Sequence, residues 1–190
     1  MEASLDNLLC RAAQQLWTRG LLVGDQGLIS AEQHRRRYLI TPPGLRRCDL
    51  RPSELATVDI GGSAVNGQGT LGAPSWLPHR LAYQRRAQMP DSAGRNRPVA
   101  ATILATPPMT LALLRKRADA MTLMLADLPP IAVVDQVEED ALRTVIETHQ
   151  HVVIRSLGLF CFGVDLASTL NEIEMVEHAA CVELAYEASS

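Results

Sequence analysis

The spacing of apolar positions along this chain alternates between a helical period and short continuous runs. Helical spacing, or a helix-opening proline, predicts helices at residues 4–18, 78–87, 107 onward, 135–149 and 165–187. Short apolar runs predict strands at residues 28–31, 38–41, 56–60, 64–66, 99–105, 121–125, 131–134, 151–155 and 159–162. Because strands and helices are interleaved, the pattern predicts an α/β fold in which helices cover a sheet.

Local signals refine this outline. Thr106 is expected to cap the helix that begins with two prolines, and Asp165 is expected to cap the last helix. Residues 91–98, DSAGRNRP, are rich in turn formers and charges, which predicts a flexible connection. No repeat and no linker composition divides the chain, so a single domain over residues 1–190 is expected.

Composition and charge narrow the classes of function. The 190 residues are 47% hydrophobic and 21% charged, which is ordinary for a globular domain of this length. A net charge of -3 argues against nucleic acid as a partner. The arginine clusters at residues 35–37, 46–47 and 85–86 are interpreted as solvated edges, because acidic residues balance them elsewhere.

The sequence carries no signal for export or for a membrane. The first residues, MEASLDNLL, contain no basic leader, and no apolar run approaches the roughly 20 residues of a membrane-spanning helix. The cysteines, Cys10, Cys48, Cys161 and Cys181, are scattered without a CxxC pair, which favours free buried thiols. The expected location is therefore the cytoplasm.

Four segments, in order, resemble the class II aldolase/adducin family. Residues 20–30, GLLVGDQGLIS, resemble the family's G-x-x-x-x-x-x-G-N-I-S, and residues 39–50, LITPPGLRRCDL, resemble its L-I-T-P-S-G segment. Residues 100–108 match the strand and helix start that carry H-x-H in the family. Residues 154–180 match its H-G turn, glycine-ended strand and long helix, so the resemblance covers nearly the whole chain.

The resemblance implies both a fold and a chemistry. The family fold is a helix–sheet–helix sandwich around a largely antiparallel sheet, and its members typically form homotetramers with the active site between subunits. In the family's enzymes three histidines bind a divalent metal, usually zinc, which polarises a carbonyl and stabilises an enediolate while a glutamate moves the proton. Their substrates are usually small phosphorylated sugars.

The metal-binding residues are missing from the matching positions. The two histidines of H-x-H fall on Leu104 and Thr106, and the third falls on Leu157, immediately before the retained Gly158. Leucine has no lone pair, and a single threonine hydroxyl is a poor zinc ligand. The sequence therefore predicts neither a metal site at these positions nor a cofactor.

The proton-shuttling glutamate is missing as well. Counting back from His79, which matches a family histidine, puts Ser75 at the glutamate position, and slippage in the alignment offers Trp76 or Leu77. None of these is a carboxylate. Because apolar residues replace most of a solvated polar site, the former pocket is expected to be part of the core or an apolar cleft.

The phosphate-binding segments are partly retained. The family's Asn and Ser are replaced by Leu28 and Pro43, and proline removes a backbone N–H that could have met a phosphate oxygen. The retained residues, which are candidates for ligand binding, are Gly27, Ser30, Thr41 and Gly44. The glycines have a simpler explanation as turn residues that need positive φ.

The histidines outside these positions offer other candidates. His79 is a candidate catalytic residue, although a lone histidine at a helix start is more often a surface or capped residue. His149 and His151 could form a metal pair on one strand, but they straddle the predicted helix-to-strand boundary. His178 is placed on the polar side of the last helix and is interpreted as solvated.

Two functions of different class remain. The first is a catalytically inactive family member that serves as a binding or oligomeric scaffold module and needs no cofactor. The second is a divergent aldolase or epimerase acting on a small (phospho)sugar, with relocated zinc ligands or, without metal, through His79 and Arg46 or Arg47. The missing site chemistry favours the first, because a fold alone does not determine function. A homo-oligomer is expected from the resemblance, which implies a tetramer.

Overall fold

A computed structural model describes residues 4–34, 36–66, 74–85, 88–91, 93–125 and 128–189. The α-helices are α1 (Leu5–Thr18), α2 (Leu77–Tyr83), α3 (Pro108–Lys116), α4 (Glu139–Thr148) and α5 (Leu166–Ser189). The strands are β1 (Leu28–His34), β2 (Arg37–Ile40), β3 (Ala56–Asp59), β4 (Ala64–Asn66), β5 (Met89–Pro90), β6 (Asn96–Arg97), β7 (Ala101–Ala105), β8 (Thr122–Leu123), β9 (Ile131–Val134), β10 (His151–Ile154) and β11 (Gly158–Gly163). Short 3-10 helices lie at Arg47–Asp49, Pro52–Glu54 and Pro74–Trp76.

The strands form one large sheet and one small hairpin. Nine strands form the large sheet in the order β4-β3-β2-β1-β7-β11-β10-β9-β8, and β5 pairs with β6 outside it. Neighbouring strands of the large sheet are antiparallel, except for β9 and β10, which run parallel. The predicted α/β fold with a largely antiparallel sheet is confirmed.

Helices cover both faces of this sheet. Residues of α1, α3 and α5 pack with Ile103 on one face, and residues of α2 and α4 pack with Leu104 on the other. Ile103 and Leu104 are consecutive in β7, so the alternation of side chains along one strand supplies both cores. The helix–sheet–helix layering therefore follows directly from the buried strand predicted at this point.

The start of α3 differs from the prediction. Thr106 does not cap it, because Pro107 occupies the N-cap position and no side chain there caps the helix. Instead, the carboxylate of Glu177 in α5 accepts hydrogen bonds from the backbone N–H groups of Met109 and Thr110, each at 2.8 Å. A carboxylate at a helix N-terminus is favourable, so a distant helix replaces the local cap.

β5 and β6 pair as a short hairpin, and Asp91 and residues 93–95 between them, where a flexible connection was predicted, carry several hydrogen bonds. The Asp91 carboxylate accepts hydrogen bonds from the backbone N–H groups of Ala93 and Arg95, both at 2.9 Å. Its other oxygen binds the guanidinium groups of Arg95 and Arg97 at 3.0 Å. One aspartate therefore organises a segment whose composition is typical of a loop.

Some helix ends also differ from the prediction. α4 begins at Glu139 rather than at residue 135, because the N-cap residue Glu138 is extended, with φ -114 and ψ 131. The Asp135 side chain, just after β9, instead binds Arg155 at 2.8 Å. α2 ends at Tyr83, and residues 86–87 of the predicted helix lie outside the described part of the chain.

The longest helix closes the fold. α5 has 24 residues, and Asp165 accepts a hydrogen bond from the backbone N–H of Ser168 at 2.7 Å, so the predicted cap is confirmed. In the described ranges, no helix combines the length and the apolarity needed to cross a lipid bilayer.

Candidate functional site

The segments that carry the family resemblance meet at a cleft of about 260 Å³. Its walls are the loops at residues 25–28 and 43–47, together with Leu104 at the end of β7 and Leu157 in the turn between β10 and β11. Ser75 and Ser156 also line it. These segments therefore line an open cleft.

Backbone geometry brings these walls together. β1 pairs antiparallel with β7 so that Leu28 lies opposite Leu104. Gly27, one residue earlier, has φ +77, and a Cβ there would lie 2.6 Å from the carbonyl oxygen of Leu104. Only glycine permits so close an approach in this conformation, which confirms that Gly27 is a turn residue needing positive φ.

The residues at the three family ligand positions do not fit a zinc ion. Leu104 is buried at 2% exposure and Leu157 is half-buried, and both present hydrocarbon to the cleft. The Thr106 hydroxyl lies 3.5 Å from the backbone oxygen of Leu21 and does not line the cleft. Across the residues that the structure describes, no three or more His, Cys, Asp or Glu side chains are grouped to hold a metal ion. Zinc requires such nitrogen, sulfur or carboxylate donors.

The candidate ligand-binding residues divide between the cleft and the core. Gly27 and Gly44 line the cleft. Ser30 and Thr41 are fully buried and do not line it. The Thr41 hydroxyl accepts a hydrogen bond from the backbone N–H of Ile29 at 3.0 Å, so it holds the end of β2 to β1.

His79 lies in a buried polar cluster and not on the surface, so that part of the prediction is wrong. The Ser30 hydroxyl is within hydrogen-bonding distance of His79 Nδ1 (2.9 Å), Tyr83 Oη (2.9 Å) and Thr102 Oγ1 (2.6 Å). Burial lowers the pKa of His79 to about 3, so the imidazole is neutral. The ring packs edge-on against Phe160 and does not line the cleft. The cause is that α2 packs its His79 face onto β1 and β7.

Arg47 is the residue near the cleft that the sequence pattern misassigned. It is fully buried, and its guanidinium donates hydrogen bonds to four backbone oxygens, those of Asp25, Gly27, Pro42 and Leu45, at 2.8 to 3.0 Å. Burial lowers its pKa to about 10, so it stays charged at neutral pH. Arg47 therefore joins the two cleft loops and places a positive charge behind them.

The other arginines of the clusters differ in their exposure to solvent. Arg46 is 68% exposed, and Arg36 and Arg37 are also exposed, as predicted for a solvated edge. Arg85 is half-buried and donates to the backbone oxygens of Ile146 and Glu147, which the prediction missed. Residues 35 and 86 lie outside the described residues. Charge clustering alone did not distinguish Arg47 from its neighbour, because the acceptors are main-chain oxygens brought by the fold.

The remaining histidines do not form a site together. His151 is buried, and its Nε2 lies 2.8 Å from the carboxylate of Glu172, whereas His149 Nδ1 lies 2.9 Å from the Thr148 hydroxyl. The metal pair considered from their spacing is therefore not present in this geometry. His178 is exposed on α5, as predicted.

Comparison with known proteins agrees with this geometry. The family described as the Class II Aldolase and Adducin N-terminal domain matches residues 7–184. An L-fuculose phosphate aldolase from Methanocaldococcus jannaschii is 24% identical over 180 residues, which are 93% of this chain and 92% of the relative.

Solved structures show the same fold. The crystal structure of l-fuculose-1-phosphate aldolase from Thermus Thermophilus superposes with a TM-score of 0.76 at 21% identity, covering 96% of this chain and 94% of the other. A sugar-phosphate aldolase from Thermotoga maritima gives a TM-score of 0.72 at 17% identity, covering 97% of this chain and 95% of the other. At this identity the likeness concerns the fold alone.

Proposed function

Because the chain belongs to the class II aldolase and adducin family, we propose that it is a catalytically inactive member that acts as a binding or oligomeric scaffold module. The observation that carries this proposal is the presence of Leu104 and Leu157 in the wall of the cleft, where the family's enzymes place metal-binding histidines. Aldol cleavage of this type depends on a metal that polarises the substrate carbonyl. Two hydrocarbon side chains cannot hold that metal.

The second requirement of the chemistry is a group that moves the proton. Ser75 lines the cleft at the position matched to the family's glutamate. A serine hydroxyl is too weak a base to replace a carboxylate in proton transfer. The loss therefore extends to both the electrophilic and the basic part of the reaction.

The size and lining of the cleft favour binding of a small ligand. Its volume of about 260 Å³ lies below the range of about 300–1,000 Å³ typical of drug-sized ligands. Arg47 supplies positive charge behind the loops, and the leucines supply apolar contact. A small anionic compound with an apolar part suits this arrangement best. The proposal further includes no resident cofactor, a homotetramer as in the family, and a cytoplasmic location.

The alternative is a divergent aldolase or epimerase acting on a small (phospho)sugar. The open cleft with its retained Gly27 and Gly44 is the observation in its favour. In that case zinc would be held by ligands elsewhere, or the reaction would proceed without metal through His79 and Arg46 or Arg47.

One experiment separates the two functions. Protein purified without chelator or added metal is analysed by elemental mass spectrometry and assayed for cleavage of L-fuculose 1-phosphate, the compound class named for the relatives. We expect close to zero metal per chain and no cleavage. About one zinc per chain together with turnover would overturn the proposal and direct mutagenesis to His79, His149 and His151.

A matched pair of variants tests the cause. The triple variant Leu104→His, Thr106→His and Leu157→His is expected to gain stoichiometric zinc, because it restores three imidazoles at the family positions. The corresponding triple glutamine variant has similar polarity without imidazole nitrogen and is expected to bind none. Equal metal content in both variants would show that these positions do not control metal binding.

A further inference from the structure

Another pocket, the α3 pocket, lies near the cleft and shares none of its lining residues. It has a volume of about 350 Å³, and its walls are Leu111, Leu114, Arg115, Ala118 and Arg155. Arg155 belongs to the turn between β10 and β11, and Leu157 of the same turn lines the cleft. The volume of the α3 pocket lies within the range of about 300–1,000 Å³ that is typical of small-ligand sites.

One side of α3 supplies the apolar wall of the α3 pocket. Its lining residues on this helix and in the turn that follows are spaced by three and four residues, so they lie along one face. Leu114 is 4% exposed and packs in the core, whereas Leu111 is half-buried and Ala118 is exposed. The pocket therefore presents hydrocarbon to solvent next to a charged side chain.

The wall formed by Arg155 is held in a fixed orientation. The Nε atom of Arg155 donates a hydrogen bond to the Asp135 carboxylate at 2.8 Å, and its Nη2 atom donates to the backbone oxygen of Ala120 at 2.7 Å. The side chain is 22% exposed. Nη1 has no acceptor among the residues that the structure describes. A planar guanidinium group is thus positioned by two protein contacts and keeps a donor for a ligand.

Arg115 carries a positive charge that no carboxylate balances. It is exposed, and within the described part of the chain its side chain makes neither an ion pair nor a hydrogen bond. The next two cations of the helix differ from it, because Lys116 and Arg117 bind glutamates of α5. Asp119 is not within ion-pair distance of Arg115. A free guanidinium therefore stands at an apolar pocket.

We propose that the α3 pocket binds a small monocarboxylate that has an apolar body. Asp135 already balances Arg155, so the uncompensated charge at the pocket is that of Arg115. A single positive charge matches one carboxylate better than the double negative charge of a phosphate monoester. A guanidinium can donate two parallel hydrogen bonds to a carboxylate, and the leucines would contact the hydrocarbon part of the ligand. This site does not depend on whether the cleft is catalytic.

The distribution of charge favours a small molecule over a macromolecule. A nucleic acid is bound by a patch or stripe of cations, and an anionic membrane by an apolar helix face flanked by several cations. Here Lys116 and Arg117 are occupied by α5, and Arg155 is paired with Asp135. One free cation in a concave apolar pocket is instead the recognition pattern of a small organic anion.

Saturation-transfer NMR on the intact chain tests the class of ligand with hexanoate and hexanamide as probes. The two probes have the same shape and differ in charge. Hexanoate is expected to bind saturably with a dissociation constant of about 1–10 mM, as is usual for so small a ligand. Hexanamide should bind about fivefold more weakly or worse, because it lacks the charge-assisted hydrogen bonds. Equal affinity of the two probes, or no saturable binding of hexanoate up to about 50 mM, would overturn the proposal.

A matched pair of arginine variants tests the charge. Arg115→Met removes the guanidinium and keeps an unbranched side chain, and it is expected to weaken hexanoate binding by about tenfold or more. Arg11→Met is the control, because Arg11 is also exposed but lines a different groove. Circular dichroism verifies that both variants are folded. If both variants bound hexanoate with the same affinity, the assignment of Arg115 would be wrong.

A second set of variants tests the location. Ala118→Trp fills the α3 pocket from an exposed position and is expected to weaken hexanoate binding by about tenfold or more, whereas Ala112→Trp, exposed on α3 outside the pocket, should leave it unchanged. Gln26→Trp obstructs the cleft and should also leave it unchanged. Loss of binding in Gln26→Trp but not in Ala118→Trp would place the carboxylate in the cleft and overturn the proposal.

Discussion

Replacement of Arg47 by methionine is expected to cost the protein a large part of its stability. Methionine keeps an unbranched apolar side chain but removes the donors to four backbone oxygens. Hydrogen bonds from a charged donor contribute about 1.5–3 kcal/mol each, so the gross loss is about 6–12 kcal/mol. The free-energy cost of burying the charge, which methionine removes, offsets part of this loss. The fall of the Arg47 pKa from its ordinary value to about 10 corresponds to roughly 3 kcal/mol at about 1.4 kcal/mol per pH unit.

The net decrease in the free energy of unfolding should therefore be about 3–5 kcal/mol, since the loop oxygens recover some bonding to water. Urea denaturation measures it. Arg46→Met is the control, because Arg46 is 68% exposed and only 3.7 Å from Asp49, a surface pair worth less than about 1 kcal/mol. Arg47→Lys keeps the charge without the planar guanidinium group, and its loss in free energy of unfolding should lie between those of Arg47→Met and Arg46→Met. If Arg47→Met and Arg46→Met agreed within 1 kcal/mol or so, the assignment of Arg47 as the connection between the cleft loops would be refuted.

Three further predictions concern the same framework. Gly27→Ala should destabilise the fold by more than about 3 kcal/mol in urea denaturation, because its Cβ would meet the Leu104 backbone oxygen; Gly44→Ala, with φ +80 and open space around it, should cost only about 1 kcal/mol. The His79 imidazole stays neutral in the folded chain down to about pH 3, whereas in the unfolded chain it binds a proton below its ordinary pKa of 6.5. The free energy of unfolding should therefore fall as the pH is lowered from 6.5 towards 3. His79→Gln should flatten that fall between about pH 6 and pH 4, and an unchanged slope would contradict the assignment. Glu177→Gln should lower the stability by about 1 kcal/mol in a thermal melt, because a neutral amide replaces the carboxylate at the start of α3.

The order of elements could be predicted from the sequence because it depends on local periodicity. The run from Ala101 to Ala105 is buried on both faces, and its length and turn boundaries identify it as a central strand. Long-range partners could not be predicted in the same way. Glu177 reaches the start of α3 across 67 or 68 residues of sequence, and no pattern around Thr106 indicates that the cap comes from there.

The long-range contacts of the residues around the cleft could not be predicted from the sequence either. Arg46 and Arg47 are adjacent and identical in type, yet one is solvated and the other is buried among main-chain oxygens. Those oxygens are grouped only after the loops around Asp25 and Pro42 have met. His79 was misplaced for a similar reason, because its partners Ser30 and Thr102 come from strands that precede and follow it in the sequence.

The residues that match the family's motifs and those that differ from them make different kinds of contact in the fold. Gly27 is required by the clearance to the Leu104 oxygen, the Ser30 hydroxyl is bound within the buried cluster of His79, and the Thr41 hydroxyl is bound to the backbone of β1. Each of these has a reason to remain that involves no ligand. Leu104 and Leu157 occupy positions whose family residues would act only on a metal, and nothing in the described part of the fold requires a polar group there. The function proposed above, an inactive family member that serves as a binding or oligomeric scaffold, would require the first set of residues for folding and would not require a metal ligand at the second. The retained residues therefore do not by themselves support catalysis.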